Sequence, residues 1–364
     1  MNHLIAICRK FQLPGRVLDV REFGGGNVND TYLVSLNSCS PDKCILQRIN
    51  HNVFPQPPLI MENMRILADH IDRELQVKKS SAGRQWRMIR IFPAINSATY
   101  IEENGDFWRA ISFIDRAATY ETIQDEKHAY EAGYALGRFH DLVSNLEPGL
   151  LHDTLPGFHI TPRYLKQYDV VSATTKIKST AEIKLCRDFI ERRRPFAPVL
   201  ERAKQQGKLR ERIIHGDPKV SNIMIDQKSG RAVSLIDLDT VKPGLIHYDL
   251  GDCLRSCCNI LGEEADEPDK VYFDTDLATM ILQGYLGVAK FISLKDFNSL
   301  YDAVRLLPFE LGLRFFTDYL AGNRYFKVSH KEQNLRRALV QFQLTRSIES
   351  QEKQLLKIIN GMRN

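Results

Sequence analysis

Residues 215–226 read "HGDPKVSNIMID". An apolar run, Ile223 to Ile225, follows the polar half, and a second run, "AVSLIDLD" (232–239), follows the linker "QKSG". Two short apolar runs around a glycine-bearing linker predict an antiparallel hairpin. Asn222 opens its first strand and Asp237 ends its second, so the hairpin brings both to one end. Asp217 precedes the first strand and is free to face the same way, with Lys219 two residues on. Asn222 and Asp237 offer oxygen ligands suited to Mg²⁺. Asp217 can take a hydroxyl proton, and Lys219 supplies a compact cation for a phosphate. That is the inventory of phosphoryl transfer. Asp226 falls at the opposite end of the hairpin, as a turn carboxylate.

The rest of the chain suits a site of that kind. Its 364 residues exceed one ordinary core, so two lobes are expected. The 43% hydrophobic and 26% charged fractions are those of a soluble globular protein. No apolar run is long enough to span a bilayer, and the N-terminus lacks a cleavable leader, so a cytoplasmic location and no membrane contact are expected. The seven cysteines show no zinc spacing and are expected as free thiols. The net charge of +5 is spread along the chain and suits an anionic ligand such as a nucleotide. The densest basic run, "ERRRPF" (191–196), lacks the interleaved aromatics of a nucleic-acid platform, so no nucleic-acid partner is expected. Nothing points to an obligatory protein partner.

Texture divides the chain near residue 95. Before it, "RVLDVREF", "DTYLVSL", "KCILQRIN" and "QWRMIRIF" predict strands, and "PPLIMENMRILADHIDREL" predicts a helix with a proline start. After it, residues 125–146, 161–210, 250–260, 274–290, 296–323 and 331–360 predict helices, interrupted by the hairpin. The expected fold is α+β: a β-rich lobe over 1–95, a helical lobe over 96–364, and a cleft between them. The segment "IFPAIN" (91–96) is expected to join the lobes.

His215, Asp217, Lys219 and Asn222 form H-x-D-x-K-x-x-N, which resembles the catalytic loop of the protein-kinase-like superfamily. Gly216 stands where protein kinases have arginine, and Asp237-Leu238-Asp239 stands where they have DFG. Both departures resemble the aminoglycoside phosphotransferase and choline kinase branch, whose members phosphorylate small molecules. The stretch "IDLDTVKPGLIHYDLGDCLRS" (236–256) looks like the N-acetylhexosamine 1-kinase group within it. The resemblance implies a two-lobed protein-kinase-like fold that uses ATP and Mg²⁺. It implies Asp217 as base, Asn222 and Asp237 as metal ligands, and His215 as a structural member of the loop. Asp249 would bond back to the loop from a helix start. Asp239 would be a second metal contact or a contact to a substrate hydroxyl.

In the first lobe, Gly24, Gly25 and Gly26 lie between two predicted strands. Alone they read as a glycine hairpin; ahead of residues 215–240 they read as a phosphate cover. A cation is expected on the third strand. Alternation puts Arg48 on one face with Leu46 and Asn50, and Gln47 on the other with Ile45 and Ile49. Arg48 is expected toward the phosphates, paired with Glu62, with Gln47 as the other register. In the second lobe, Glu310, Arg314 and Asp318 recur every four residues, which is also how a salt-bridged solvent face reads. The resemblance gives Arg314 and Thr240 as contacts to a sugar acceptor. An amino alcohol, homoserine or aminoglycoside acceptor is the alternative, and a nucleotide-binding pseudokinase is the alternative of another class.

Overall fold

The computed structural model describes residues 2–24, 28–78 and 83–363. It opens with helix α1 (Asn2–Cys8) and strands β1 (Arg16–Glu22), β2 (Asp30–Asn37) and β3 (Lys43–Ile49). Helix α2 (Pro57–Val77) follows, then β4 (Ile91–Phe92), β5 (Ile101–Glu103) and β6 (Asp106–Ser112). These six strands form one sheet in the order β1-β2-β3-β6-β4, with β5 on β6. The sheet is sandwiched. Ile7, Cys8 and Phe11 cover one face through Val34, Leu46, Trp108 and Ala110. Ile60, Met61, Met64 and Leu67 of α2 cover the other through Leu33, Ile45, Ile49 and Ile111. Helix α2 forms because these apolar residues fall on one stripe and proline occupies its first turn, where no intrahelical N–H is needed.

Two expectations need correction here. The segment 91–96 does not join the lobes: Ile91 and Phe92 pair with Ile111 and Ala110 of β6, as the edge strand of the sheet. The sheet therefore runs past residue 95 to Ser112. Phe113 to Arg116 lead out of it to β7 (Ala117–Ala118), which pairs with β9 (Ile223–Asp226). Of "QWRMIRIF", only the last two residues join a strand; Arg87 instead donates its backbone N–H to Val233.

The helical region holds α3 (Glu126–Leu142), α4 (Thr161–Thr174), α5 (Ala181–Arg193) and α6 (Val199–Gln205). Then come β8 (Arg212–Ile214), β9, β10 (Ala232–Leu235), β11 (Lys242–Gly244) and α7 (Ile246–Cys257). Helices α8 (Thr275–Val288), α9 (Leu294–Asn298), α10 (Leu300–Leu320), α11 (Gln333–Ser350) and α12 (Glu352–Gly361) complete it. The fold is α+β with two lobes. The hairpin β9–β10 forms as expected, with Ile225 opposite Ala232 and Ile223 opposite Leu235. Helices α3 and α8 pack with their backbones nearly touching: a Cβ at Gly133 would come within 1.9 Å of the Ile281 carbonyl, and one at Gly284 within 2.0 Å of the Tyr130 carbonyl. Among the described residues no helix is long and apolar enough to cross a membrane. All seven cysteines are free thiols, six of them buried.

Candidate functional site

Strand β8 ends at Ile214 and delivers His215, Gly216 and Asp217 into the space below the sheet. Gly216 has φ +88°, and a Cβ there would meet the Thr240 carbonyl at 2.7 Å, so glycine is required. The loop is clamped from beneath. Asp249, in the first turn of α7, accepts the backbone N–H groups of His215 (2.6 Å) and Gly216 (2.8 Å). It also lies 2.8 Å from His140 Nε2. Burial pushes the Asp249 carboxyl up, but the hydrogen bonds from His140 and from the His215 backbone N–H outweigh it, and its pKa lies below the ordinary value. The buried His215 has one nitrogen 2.9 Å from the Ile236 carbonyl and the other 3.3 Å from the Asp217 N–H. That arrangement suits a neutral ring donating at Nε2 and accepting at Nδ1. Burial lowers its pKa in agreement.

Asp217 is the hub. Its Oδ2 accepts from Lys219 Nζ (2.8 Å) and from Asn222 Nδ2 (3.2 Å); Nδ2 also donates to the Asp217 carbonyl (2.8 Å). The amide nitrogen is thereby committed, and Oδ1 is the end of Asn222 left for a cation. Burial opposes the Lys219 charge, yet Asp217 and Asp237 more than compensate and raise its pKa. Asp237 follows β10 in the left-handed region, with φ +65°, an uncommon state for a non-glycine residue. Its carboxyl is pushed up to about 6, first by burial and then by Asp239 and Asp217, against Lys219 and Arg109. The side chain is nevertheless exposed, so the effect of burial on it is partial. A carboxylate crowded by two others, beside an uncommitted amide oxygen, is chemistry that a divalent cation would complete. Among the described residues no cluster of three or more His, Cys, Asp or Glu forms a cage made of protein alone.

Four expected positions need revision. Arg48 lies on the α1 face of the sheet, partly exposed, and pairs with Asp30 and Asp106. Glu62 is exposed and lies 3.0 Å from His152 Nε2, with no contact to Arg48. The alternation was right, but Gln47 holds the inward register. Gln47 Oε1 accepts from Nε of Arg109, which is 2% exposed and reaches Asp239 Oδ1 at 2.6 Å. Arg109, one strand over from the expected place, is thus a buried cation on the α2 face of the sheet. Asp239 has both carboxylate oxygens engaged: Oδ1 accepts from Arg109 and Oδ2 from Asn29 (2.7 Å), while its carbonyl accepts from Thr154 (2.6 Å). Thr240 is buried and donates its hydroxyl to the His215 carbonyl (2.9 Å), so it ties loop to loop. Gly24 adopts φ +77° with open space around it; Gly25 and Gly26 lie outside the described residues.

Arg314 lies on the face of α10 turned to the interior, as do the buried Glu310 and Asp318. Its guanidinium is boxed by Phe158 (5.0 Å), Tyr164 (5.1 Å), Phe326 (5.4 Å) and Tyr325 (5.9 Å). Among the described residues no carboxylate lies in ion-pair range of it. Burial works against its charge, but Tyr164, Tyr325, Glu310 and Asp217 prevail and raise its pKa. Asp318 shapes the box by accepting the backbone N–H groups of Arg324, Tyr325 and Phe326.

The sequence reading missed Arg109, Asn29, His140 and His159; Glu310 was noted with Arg314 and Asp318, and it is buried rather than on a solvent face. For Arg109 a signal existed: in "DFWRAIS" it alternates onto the same face as the apolar Phe107 and Ile111. The buried histidines carry no comparable local mark.

Comparison with known proteins places this geometry. The model of the phosphotransferase enzyme family (APH) matches residues 19–282. The fold is shared by an aminoglycoside phosphotransferase from Alicyclobacillus acidocaldarius, at 16% identity over 96% of this chain and 95% of that one, TM-score 0.64. A microcompartment-associated aminopropanol kinase matches at 14% identity over 98% of each chain, TM-score 0.62. Choline kinase from Cryptosporidium parvum matches at 12% identity over 100% and 99%, TM-score 0.60.

Proposed function

The chain belongs to the phosphotransferase enzyme family, and from that premise we propose that it is an ATP- and Mg²⁺-dependent kinase that transfers the γ-phosphate to a sugar hydroxyl. The preferred acceptor is the anomeric hydroxyl of an N-acetylhexosamine or related hexose. Asp217 takes or orients the hydroxyl proton. Asn222 and Asp237 would hold the metal, which would neutralise phosphate charge when bound. Lys219 would meet the γ-phosphate, with Arg109 as the buried cation of the sheet lobe and Gly24 to Gly26 as the cover. The division between the lobes belongs at 113–116, where the chain leaves β6 for β7.

One observation favours a sugar over the amines handled by several structural relatives. The aromatic box beside Asp217 is filled by the protein's own guanidinium, Arg314. An aromatic cage attracts a cation when empty. Filled by arginine, it opposes a choline, an aminopropanol or an aminoglycoside with like charge. A guanidinium without a carboxylate partner instead offers donors to hydroxyl and carbonyl oxygens.

The test is ATP turnover with hexoses, N-acetylhexosamines, choline, ethanolamine, homoserine and an aminoglycoside, with phosphorus NMR of the product. Turnover with a sugar and a product phosphorylated at the anomeric carbon is expected. Turnover with amines alone would overturn the sugar reading. ATP binding without any acceptor-dependent turnover would favour the pseudokinase. Asp217→Asn should lower kcat by roughly 10²–10⁴-fold with ATP binding retained; near-normal turnover would remove Asp217 from the mechanism.

A further inference from the structure

His159 sits before α4 with φ +65° and is 3% exposed. Its Nδ1 is 3.0 Å from Glu310 Oε1, and its Nε2 is 2.6 Å from the Gly216 carbonyl. Glu310 is 1% exposed, and its second oxygen accepts from Thr161 Oγ1 at 2.6 Å. A carboxylate oxygen and a carbonyl oxygen both accept. A ring that serves both must donate from both nitrogens, and a ring with two N–H groups is an imidazolium.

The other groups facing it agree with a positive charge. Asp252 and Tyr248 approach from α7, and Tyr248 stacks on the ring at 5.4 Å with 19° between planes. Tyr164 approaches from α4, and a nearby cation, Arg314 on α10, is itself within the field of Glu310. Burial would strip the proton, but Glu310 and Asp252 outweigh it and raise the pKa.

Gly216 immediately precedes Asp217. Its N–H is held by Asp249. Among the described residues, His159 is the hydrogen-bond donor to its carbonyl. The plane of the peptide that feeds Asp217 therefore depends on this ring. Glu310 lies one helical turn before Arg314 on α10, and Phe158, adjacent in sequence to His159, is a wall of the Arg314 box.

We propose that His159 is a positioning residue: as a buried imidazolium it ties the Gly216 carbonyl to Glu310 on the acceptor-side helix, and so sets the direction of the Asp217 carboxylate relative to the acceptor pocket. The inference rests on the reading of Asp217 as the base.

His159→Phe keeps a ring between Phe158 and Tyr248 and removes both donors. His159→Gln keeps a donor for one partner at a time. With N-acetylglucosamine and ATP, His159→Phe should lower kcat roughly 10- to 100-fold, as expected for a misdirected group, with KM for ATP unchanged. His159→Gln should recover part of that loss. A ring that serves stability alone would lower the melting temperature and leave kcat intact below the transition, and that result overturns the proposal. Nitrogen-15 NMR of the wild-type ring is the independent readout. Both nitrogens protonated at about pH 8, well above the ordinary histidine value, is expected; a neutral ring overturns the proposal even where His159→Phe does not fold. If the wild type phosphorylates no sugar, the acceptor reading fails by itself. The variants are then compared by acceptor-independent ATP hydrolysis, so the two failures stay separate.

Discussion

Arg48 and Arg109 belong to neighbouring strands and face opposite ways, and that difference decides what each can do. Arg48 is an exposed ion pair, worth about 0–1 kcal/mol to stability. Arg48→Gln should leave the melting temperature and KM for ATP near wild type. Arg109 is buried against Asp239, and removing one partner of a buried pair costs about 3–5 kcal/mol. Arg109→Gln should lower the melting temperature and raise KM for ATP. An Arg48 variant with the larger KM effect would restore the original assignment. Asp249 gives a pH dependence of definite sign. Its pKa is lowered in the folded state, so its stabilisation is complete above the ordinary carboxylate value of about 3.9 and is lost as pH falls through the depressed one. Melting temperature followed from about pH 6 to about pH 3 should fall less steeply in Asp249→Asn, from a lower starting value. A variant whose acid limb parallels wild type would exclude Asp249 as its source. Of these residues, the closeness of Asp217, Lys219 and Asn222 was legible because their spacing is local. The choice between Arg48 and Gln47 was not, because alternation gives two faces without saying which one α2 covers.

Elements place these residues through contacts that differ in how visible they are in a sequence. The hairpin β9–β10 and helix α2 follow from patterns within themselves and could be read. The stretch "DFWRAIS" (106–112) alternates as a strand does, but its place between β3 and β4 is set by non-local pairing; that is why the join between lobes was expected some twenty residues too early. The helix pair α3–α8 was legible as two helices, while its close approach was written only in Gly133, Gly137 and Gly284. Adding a methyl group at Gly133 would drive Cβ into a carbonyl oxygen, and the backbones would have to separate. Gly133→Ala should therefore destabilise the protein by at least the 1–3 kcal/mol typical of overpacking, with KM values unchanged in whatever fraction remains folded. Gly149→Ala is the control, because its added Cβ meets nothing within 4 Å. Equal melting temperatures for the two variants would discard the close-packing argument.

At the scale of the molecule, the lobes are joined by more than the 113–116 connection. Asp239, in the helical lobe, accepts from Arg109 and Asn29, both carried by the sheet lobe. Asn63 of α2 donates to the carbonyls of His152 and Val241. None of these pairs is adjacent in sequence, which is why a two-lobed outline was readable and its seam was not. The physical consequence concerns cooperativity. A buried charge satisfied from the other lobe makes each lobe's folding depend on its neighbour, so the wild type should melt in one transition with matching calorimetric and van't Hoff enthalpies. Asp239→Asn sets an amide N–H₂ among donors and removes the charge that Arg109 requires. The seam then loses its strongest polar tie and keeps its apolar one: one buried cluster runs from Leu33, Ile45 and Met61 on the sheet side to Leu136, Ile223 and Leu250 on the helical side, and each side has a further cluster of its own. Calorimetry of Asp239→Asn should show a broadened or divided transition, with the van't Hoff enthalpy below the calorimetric one. A single sharp transition, merely displaced to lower temperature, would mean that apolar packing couples the lobes and that the Asp239 contacts only add stability.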